Sequence, residues 1–273
     1  MSDVSDRIFV AFDTETTGLW ALSHKIVEIA AVKFRIDSDT TEEFQTFVNP
    51  GRPIPVEVTA IHGITDEMVA NAPDSASALT SFVEFCGADS WLVAHNAPFD
   101  MSFVGNELER AGMPYPENPI LDTVDIYHRH FPGLFSYSLL SLARQFGFAQ
   151  SQEHRGLSDS QLVRYLVQHA FRTIDPLRES DDLSTIASVY RMSQWRPEPS
   201  PLPAAFADLD RAVQLGLAVE IVYQATNATP SGRTIRPIQV YQLGQIHYIV
   251  AFCEKVQAER TFRLDRILSY RLV

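Results

Sequence analysis

Phe9-Val-Ala-Phe-Asp13-Thr-Glu15-Thr-Thr-Gly18-Leu19 is the stretch from which the fold is read. Four apolar residues in succession predict a buried strand, and the two-residue period of a strand then turns Asp13 and Glu15 to one face and Thr14 to the other. Two carboxylates placed side by side repel each other unless a cation lies between them. Hard oxygen ligands suit Mg²⁺ or Mn²⁺. On these residues alone, a solvated acidic turn accounts for the pair equally well.

Working outward, residues 8–12, 26–34 and 44–48 are β-rich runs separated by Thr-Gly and Asp-Ser-Asp turn signals, and predict three consecutive antiparallel strands. Apolar residues at helical spacing follow at 77–86, 98–111, 123–131, 138–146 and 158–171, with a short strand at 91–94. This half of the chain reads as α/β, a mixed sheet covered by helices.

Two further acids stand at predicted helix starts. In Trp91-Leu-Val-Ala-His95-Asn96-Ala-Pro98-Phe-Asp100 a strand feeds a helix, with Pro98 suited to its first turn and Asp100 near the end where the dipole favours an anion. In His154-Arg-Gly-Leu-Ser158-Asp159, Ser158 or Asp159 opens the next helix. Taken singly, macrodipole compensation and capping explain both.

Together, DTETTGL, LVAHNAPFD and HRGLSD, in this order, resemble the three exonuclease motifs of the DEDDh family, which includes the proofreading subunit of bacterial DNA polymerase III. Phe47-Val-Asn-Pro-Gly51, Ile61-His62-Gly-Ile-Thr65, Leu121-Asp-Thr123 and Ser136-Tyr-Ser-Leu139 resemble the same family, and the likeness covers roughly residues 7 to 172. It implies a ribonuclease H-like fold and 3′ to 5′ hydrolysis of nucleic acid to nucleoside 5′-monophosphates. It also implies that Asp13, Glu15, Asp100 and Asp159 bind metal and that His154 is the general base.

The chemistry agrees with that assignment. A phosphodiester is anionic and repels hydroxide. Two Mg²⁺ roughly 4 Å apart, for which Mn²⁺ can substitute, neutralise it, acidify water and stabilise the leaving 3′ oxygen. A histidine with an ordinary pKa of about 6.5 is mostly neutral at working pH and able to take a proton. As in the family, Thr16, Thr17, Gly18 and Leu19 are expected to approach the terminal nucleotide through backbone and a small apolar wedge, or else to form only a turn. His62 is expected near the 3′ nucleotide or as a cap of the next helix, and Asn96 to orient substrate or brace its loop. His24, His128, His130 and His169 read as surface or packing residues.

The 273 residues, 45% apolar and 21% charged, suit one large or two modest domains and exclude a disordered or fibrous chain. No apolar run is long enough for a membrane helix, and MSDVSDRIFV carries no secretory stretch, so a cytoplasmic protein is expected. Cys86 and Cys253 are too few for a disulfide framework or a cysteine zinc site within one chain, and read as buried thiols. A net charge of −12 argues against gripping nucleic acid with a whole-surface positive field. That charge is uneven, with eight Lys and Arg against six Asp and Glu in residues 204–273, leaving 14 against 28 in residues 1–203.

The expected division is an exonuclease domain at 1–172, a linker at 173–203 and a small domain at 204–273. Four prolines at 197, 199, 201 and 203 favour extended chain in the linker, and helical spacing at 184–192 predicts a short helix within it. After it, a helix at 204–216 and β-rich runs at 219–224, 235–243, 246–252, 260–264 and 267–272 predict a small barrel or strongly curved sheet. Val219-Glu-Ile-Val-Tyr223, Arg233-Thr-Ile-Arg236-Pro237, His247-Tyr248-Ile249 and Arg260-Thr-Phe-Arg263-Leu-Asp-Arg266 resemble a WYL domain, which implies an Sm/SH3-like β-barrel. The name-giving triplet is altered, with His247-Tyr248-Ile249 in place of Trp-Tyr-Leu. A bulge or strand end could bring Arg260, Arg263 and Arg266 to one mouth, where arginines bind phosphate and Tyr248 or Tyr223 stacks a base. Strand-surface arginines paired with Glu254, Glu259 and Asp265 are the plainer reading.

The expected activity is a metal-dependent 3′–5′ exonuclease acting by preference on single-stranded DNA, with a WYL-like module that holds nucleic acid or senses an effector. An exoribonuclease is the alternative, because no reader of the 2′-hydroxyl is identifiable. A nucleic-acid-binding regulatory protein without catalysis is a third possibility, against which the five intact residues count. Oligomeric state is open.

Overall fold

In a computed structural model, which describes residues 4–22, 24–174, 182–185, 187–195, 202–225, 229–243 and 246–273, the opening apolar run becomes strand β1 (Phe9–Thr16). It is longer than the apolar run because its pairing with β2 (Ile26–Phe34) carries on through Asp13 and Glu15. β3 (Glu42–Phe47) extends the antiparallel set, as the pattern predicts. The helices α1 (Val56–His62), α2 (Asp66–Val69) and α3 (Ser75–Cys86) lead to β4 (Trp91–Ala94), which pairs parallel with β1. After α4 (Ala97–Arg110), the three-residue β5 (Ile120–Asp122) pairs parallel with β4. α5 (Thr123–His130), α6 (Leu139–Gln145) and α7 (Gly156–Thr173) follow.

The sheet is mixed, in the order β3-β2-β1-β4-β5-β6, as in ribonuclease H-like folds. Alternation along β1 serves two cores. Phe9 and Ala11 pack with residues of α5, α6 and α7 on one face, and Val10 and Phe12 with residues of α3 and α4 on the other. A strand covered on both faces needs a continuous apolar run, which is what residues 9–12 supply.

The helix expected at 184–192 does not form. Leu183–Thr185 is a 3₁₀ turn, and β6 (Val189–Tyr190) pairs antiparallel with β5 as the last strand of the sheet. A short isolated helix is marginal, whereas β5 presents an open edge whose backbone groups a strand can satisfy. Leu183, Ala187 and Met192 are buried in the two cores, so part of the segment expected as linker is packed structure. Its remaining prolines at 197, 199 and 201 lie outside the described residues.

Contacts divide the chain into two units, residues 1–196 and 197–273. The second begins with a 3₁₀ turn and α8 (Ala207–Leu215), closed by Gly216 in the left-handed conformation at φ 62°. β7 (Val219–Tyr223), β8 (Ser231–Leu243), β9 (Ile246–Cys253), β10 (Ala258–Arg263) and β11 (Ile267–Leu272) form one antiparallel sheet in the order β10-β9-β8-β7-β11. The two edge strands are joined by only three residues, Leu264–Arg266. Edges of a flat five-stranded sheet lie about 19 Å apart, more than so short a link spans, so the sheet must curl. Leu209, Ala212, Ile221, Ile235 and Phe262 belong to one buried apolar core in this unit. Among the described residues the pairings leave the sheet open, and the closure that the expected Sm/SH3-like barrel requires is not shown.

Cys86 and Cys253 are free and buried, one in each unit, and burial pushes the Cys86 thiol up to about 12. Among the described residues no helix is long and apolar enough to cross a membrane.

Candidate active site

The β1–β4 ladder ends at Ala11 and Val93, and the sheet reverses its winding between these strands. Open α/β sheets bind ligands at such a switch point, beyond the carboxyl ends of the strands. Asp13 and Glu15 occupy that end of β1 and Asp159 the first turn of α7, with carboxylate oxygens of all three within 4.8 Å of one another. Asp100, in the first turn of α4, is brought alongside by Thr14, whose backbone N and Oγ1 donate to its Oδ1 at 2.9 and 2.7 Å. Thr14 thus uses the strand face opposite Asp13 and Glu15 to fix the fourth acid.

Like charges and burial act together here. Burial, and then the charges of Asp100, Glu15, Asp159 and Glu28, raise Asp13 well above the usual carboxylate range. Glu15 is pushed up to about 8 by burial and then by Asp159, Glu28 and Asp100, with Arg155 opposing. Burial lifts Asp100 to about 7 despite the hydrogen bonds from Thr14. Burial also raises Asp159, against the opposing effects of a Gln152 Nε2 donor at 2.6 Å and of His154. The other oxygen, Asp159 Oδ1, is buried without a hydrogen-bond partner. An orphaned carboxylate oxygen within a converging, all-oxygen donor set fits a divalent cation, which removes both the repulsion and the desolvation cost.

His154 lies on the exposed loop leading into α7, with φ 51°, a backbone conformation uncommon outside glycine. Five residues later the helix presents Asp159. Of the other expected residues, Thr16 Oγ1 donates to the Gly18 carbonyl at 2.7 Å, and Thr17 Oγ1 accepts from Lys25 N at 3.0 Å. A Cβ on Gly18 would fall 2.5 Å from the His24 ring, so the close packing of this loop requires glycine. Leu19 is 75% exposed, and its neighbour Trp20, which the sequence reading passed over, is 51% exposed.

His62 is buried and its Nδ1 accepts from Ile64 N at 3.0 Å, closing the turn after α1 rather than capping α2. Burial holds its pKa below the ordinary value. Asn96 is the N-cap of α4 in the left-handed conformation and makes no side-chain cap bond; its backbone N donates to Asp122 Oδ1 at 2.9 Å. His169 packs among Tyr127, Phe131 and Phe146, as a packing residue should.

Sequence reasoning also passed over Glu28. It is fully buried on β2, directly opposite Glu15 in register, and accepts hydrogen bonds from Gln45, Arg155 and the Gly156 backbone. Its signal was a lone acid inside the apolar run Ile26-Val-Glu-Ile-Ala.

In the second unit, β10 pairs with β9 without a register break from Ala258 to Arg263, so no bulge brings Arg260 and Arg263 to one face. Arg263 stands opposite Tyr248 and grips Asp265 through Nε and Nη2 at 3.0 and 2.7 Å. Arg266 ends the 3₁₀ turn beyond it.

The Exonuclease family model (RNase_T) matches residues 10–167, and the WYL domain model matches residues 204–272. The chain is 34% identical over 164 residues to the PolC-type DNA polymerase III of Bacillus cereus, which takes in 60% of this chain and 11% of that one. The PolC-type enzyme of Streptococcus sanguinis is 38% identical over 165 residues, with the same coverage of 60% and 11%. The chain therefore spans about a ninth of the length of these curated relatives. Among solved structures, Exonuclease X in complex with 5′ overhanging duplex DNA aligns with a TM-score of 0.50 and 31% identity, covering 61% of this chain and 93% of that one. The nuclease domain of 3′hExo, a DEDDh family member bound to rAMP, has the same fold at a TM-score of 0.54 and 16% identity, covering 63% and 94%. The acids gathered at the end of β1, the matching family model and these relatives converge on one conclusion: the chain belongs to the exonuclease (RNase_T) family, and its C-terminal residues match a WYL domain.

Proposed function

We propose that this exonuclease removes nucleoside 5′-monophosphates from the 3′ end of single-stranded DNA in the cytoplasm, using Mg²⁺. The observation that carries the reading is the convergence of half-buried Asp13 and Glu15 on buried Asp159, with one Asp159 oxygen unpartnered. Asp13, Glu15, Asp100 and Asp159 would hold two ions, which supply charge neutralisation, an acidified water and stabilisation of the leaving oxygen. His154 receives the proton of the attacking water, and the exposed loop that carries it lets the proton leave to solvent. Thr16, Thr17 and Gly18 approach the terminal nucleotide through backbone, Leu19 is a small apolar wedge against it, and Trp20 stacks on an unpaired base. His62 and Asn96 brace the surrounding turns.

DNA is preferred because relatives of similar sequence are DNA polymerases and an exonuclease caught on DNA. RNA is the second reading, favoured by the rAMP bound to 3′hExo. For the WYL domain we propose that Tyr248 and Arg266, with Arg263 once released from Asp265, hold the nucleic-acid strand or an anionic effector, while Arg260, on the other face of β10, adds only positive charge. The test uses 5′-labelled single-stranded DNA and RNA of one sequence with Mg²⁺, beside an Asp13→Ala control. A shortening ladder on DNA, faster than on RNA and absent in the control, is expected. A faster ladder on RNA would overturn the choice of substrate, and a ladder that persists in the control would overturn the site.

A further inference from the structure

We infer that Glu28 is a positioning residue that fixes the His154 loop through Arg155 and Gly156, an inference that rests on the reading of His154 as the general base. Glu28 is fully buried, and a buried carboxylate persists only when its oxygens are met by donors. Oε1 accepts from Gln45 Nε2 and Arg155 Nη2, both at 2.8 Å. Oε2 accepts from Arg155 Nε at 3.3 Å and Gly156 N at 2.9 Å. Both oxygens are engaged, so Glu28 is not a further metal ligand although it faces Glu15 across the ladder.

Three of these four donors belong to the two residues that follow His154. The two-pronged grip of a carboxylate on a guanidinium fixes the plane of Arg155, whose other side lies 5.4 Å from the Phe47 ring. Arg155 is the N-cap residue of α7 yet makes no side-chain cap bond. Glu28 fills that role from β2, taking a first-turn N–H and placing negative charge at the positive end of the helix dipole. Immediately before the clamp, His154 holds its left-handed backbone, a conformation that survives where surrounding structure over-determines it. Glu28 therefore sets where the loop between α6 and α7 meets β2 and where the imidazole stands.

A double-mutant cycle on the full chain tests this, read as the single-turnover rate on 5′-labelled single-stranded DNA with Mn²⁺. Glu28→Gln turns one acceptor into a donor facing donors, and Arg155→Ala removes the fork from a partly exposed position. Each is expected to lower the rate roughly 10- to 100-fold, the range for residues that orient a catalytic ligand, with Mn²⁺ affinity and KM for the oligonucleotide preserved. In a His154→Ala background each should cost less than about threefold more, because the effect runs through the imidazole. Equal losses in both backgrounds would mark a general structural role and overturn the inference, as would near wild-type rates for both variants. Should Glu28→Gln fail to fold, Arg155→Ala carries the same comparison. A wild-type rate in His154→Ala would instead remove the premise that His154 is the base, a result distinct from any given by the Glu28 and Arg155 variants.

Discussion

The acids at the end of β1 and the surface of the C-terminal sheet handle charge in opposite ways. At the end of β1 four acids stand close together, Asp100 and Asp159 buried and Asp13 and Glu15 half-buried, each with its pKa raised, and one oxygen is left without a partner. On the C-terminal sheet, charges of opposite sign meet near the surface, as in Arg236 with Glu254, Arg263 with Asp265 and Arg271 with Glu220. The second arrangement is complete as it stands. The first is costly without a cation, and that difference is what marks one region as fit for a metal from its geometry and the other as a surface where any ligand would have to compete with internal pairs.

The contrast breaks most visibly at Asp159. Asp159→Asn is expected to cut degradation about 10³-fold or more in a gel-based rate assay, because a neutral amide carries no charge to balance a dication. His154→Ala should cost about 10²- to 10⁴-fold while Mn²⁺ titration shows unchanged affinity. Gly156→Ala probes the packing beneath them. A Cβ there would meet Ala30 Cβ at 3.0 Å and Glu28 Oε2 at 3.3 Å, so chemical denaturation should show a loss of about 1 to 3 kcal/mol.

A smaller effect sharpens the electrostatic side of the comparison. Glu15, raised to about 8 from an ordinary 4.5, binds more protons folded than unfolded between those values. The slope of stability with pH follows protons bound unfolded minus folded, so it is negative there. The metal-free protein should therefore melt at progressively lower temperature as pH rises from about 5 to about 8, and divalent metal should flatten or reverse the trend. The smallest change is expected on the other surface. Arg260→Ala with Arg263→Ala should leave the melting temperature unchanged and weaken single-stranded DNA binding a few-fold, with a shallower salt dependence. Unchanged affinity and activity would remove the proposed ligand role.

Much of this was legible in the order of residues. The alternation Phe9 to Glu15 placed two acids on one face, and the helices carrying Asp100 and Asp159 appeared where periodicity indicates, although the second begins at Gly156, ahead of the expected Ser158 or Asp159, and neither has a side-chain cap. Elements too short to show a period were not legible. β5 has three residues and β6 two, and β6 exists because the edge of β5 was free to pair. The curl of the C-terminal sheet depends on a three-residue link between its edges, which strand patterns do not reveal. Thr14 and Glu28 were missed for a related reason. Each acts through a partner 86 or 127 residues away, and local spacing carries no information on contacts at that range.

The most direct measurement of the central claim is a calorimetric titration of Mn²⁺ into the wild-type chain and Asp159→Asn near pH 8. Saturable binding to wild type that is lost in the variant is predicted, because the orphaned oxygen and its two neighbouring acids form the site. Equal binding by both chains, or none by either, would contradict it.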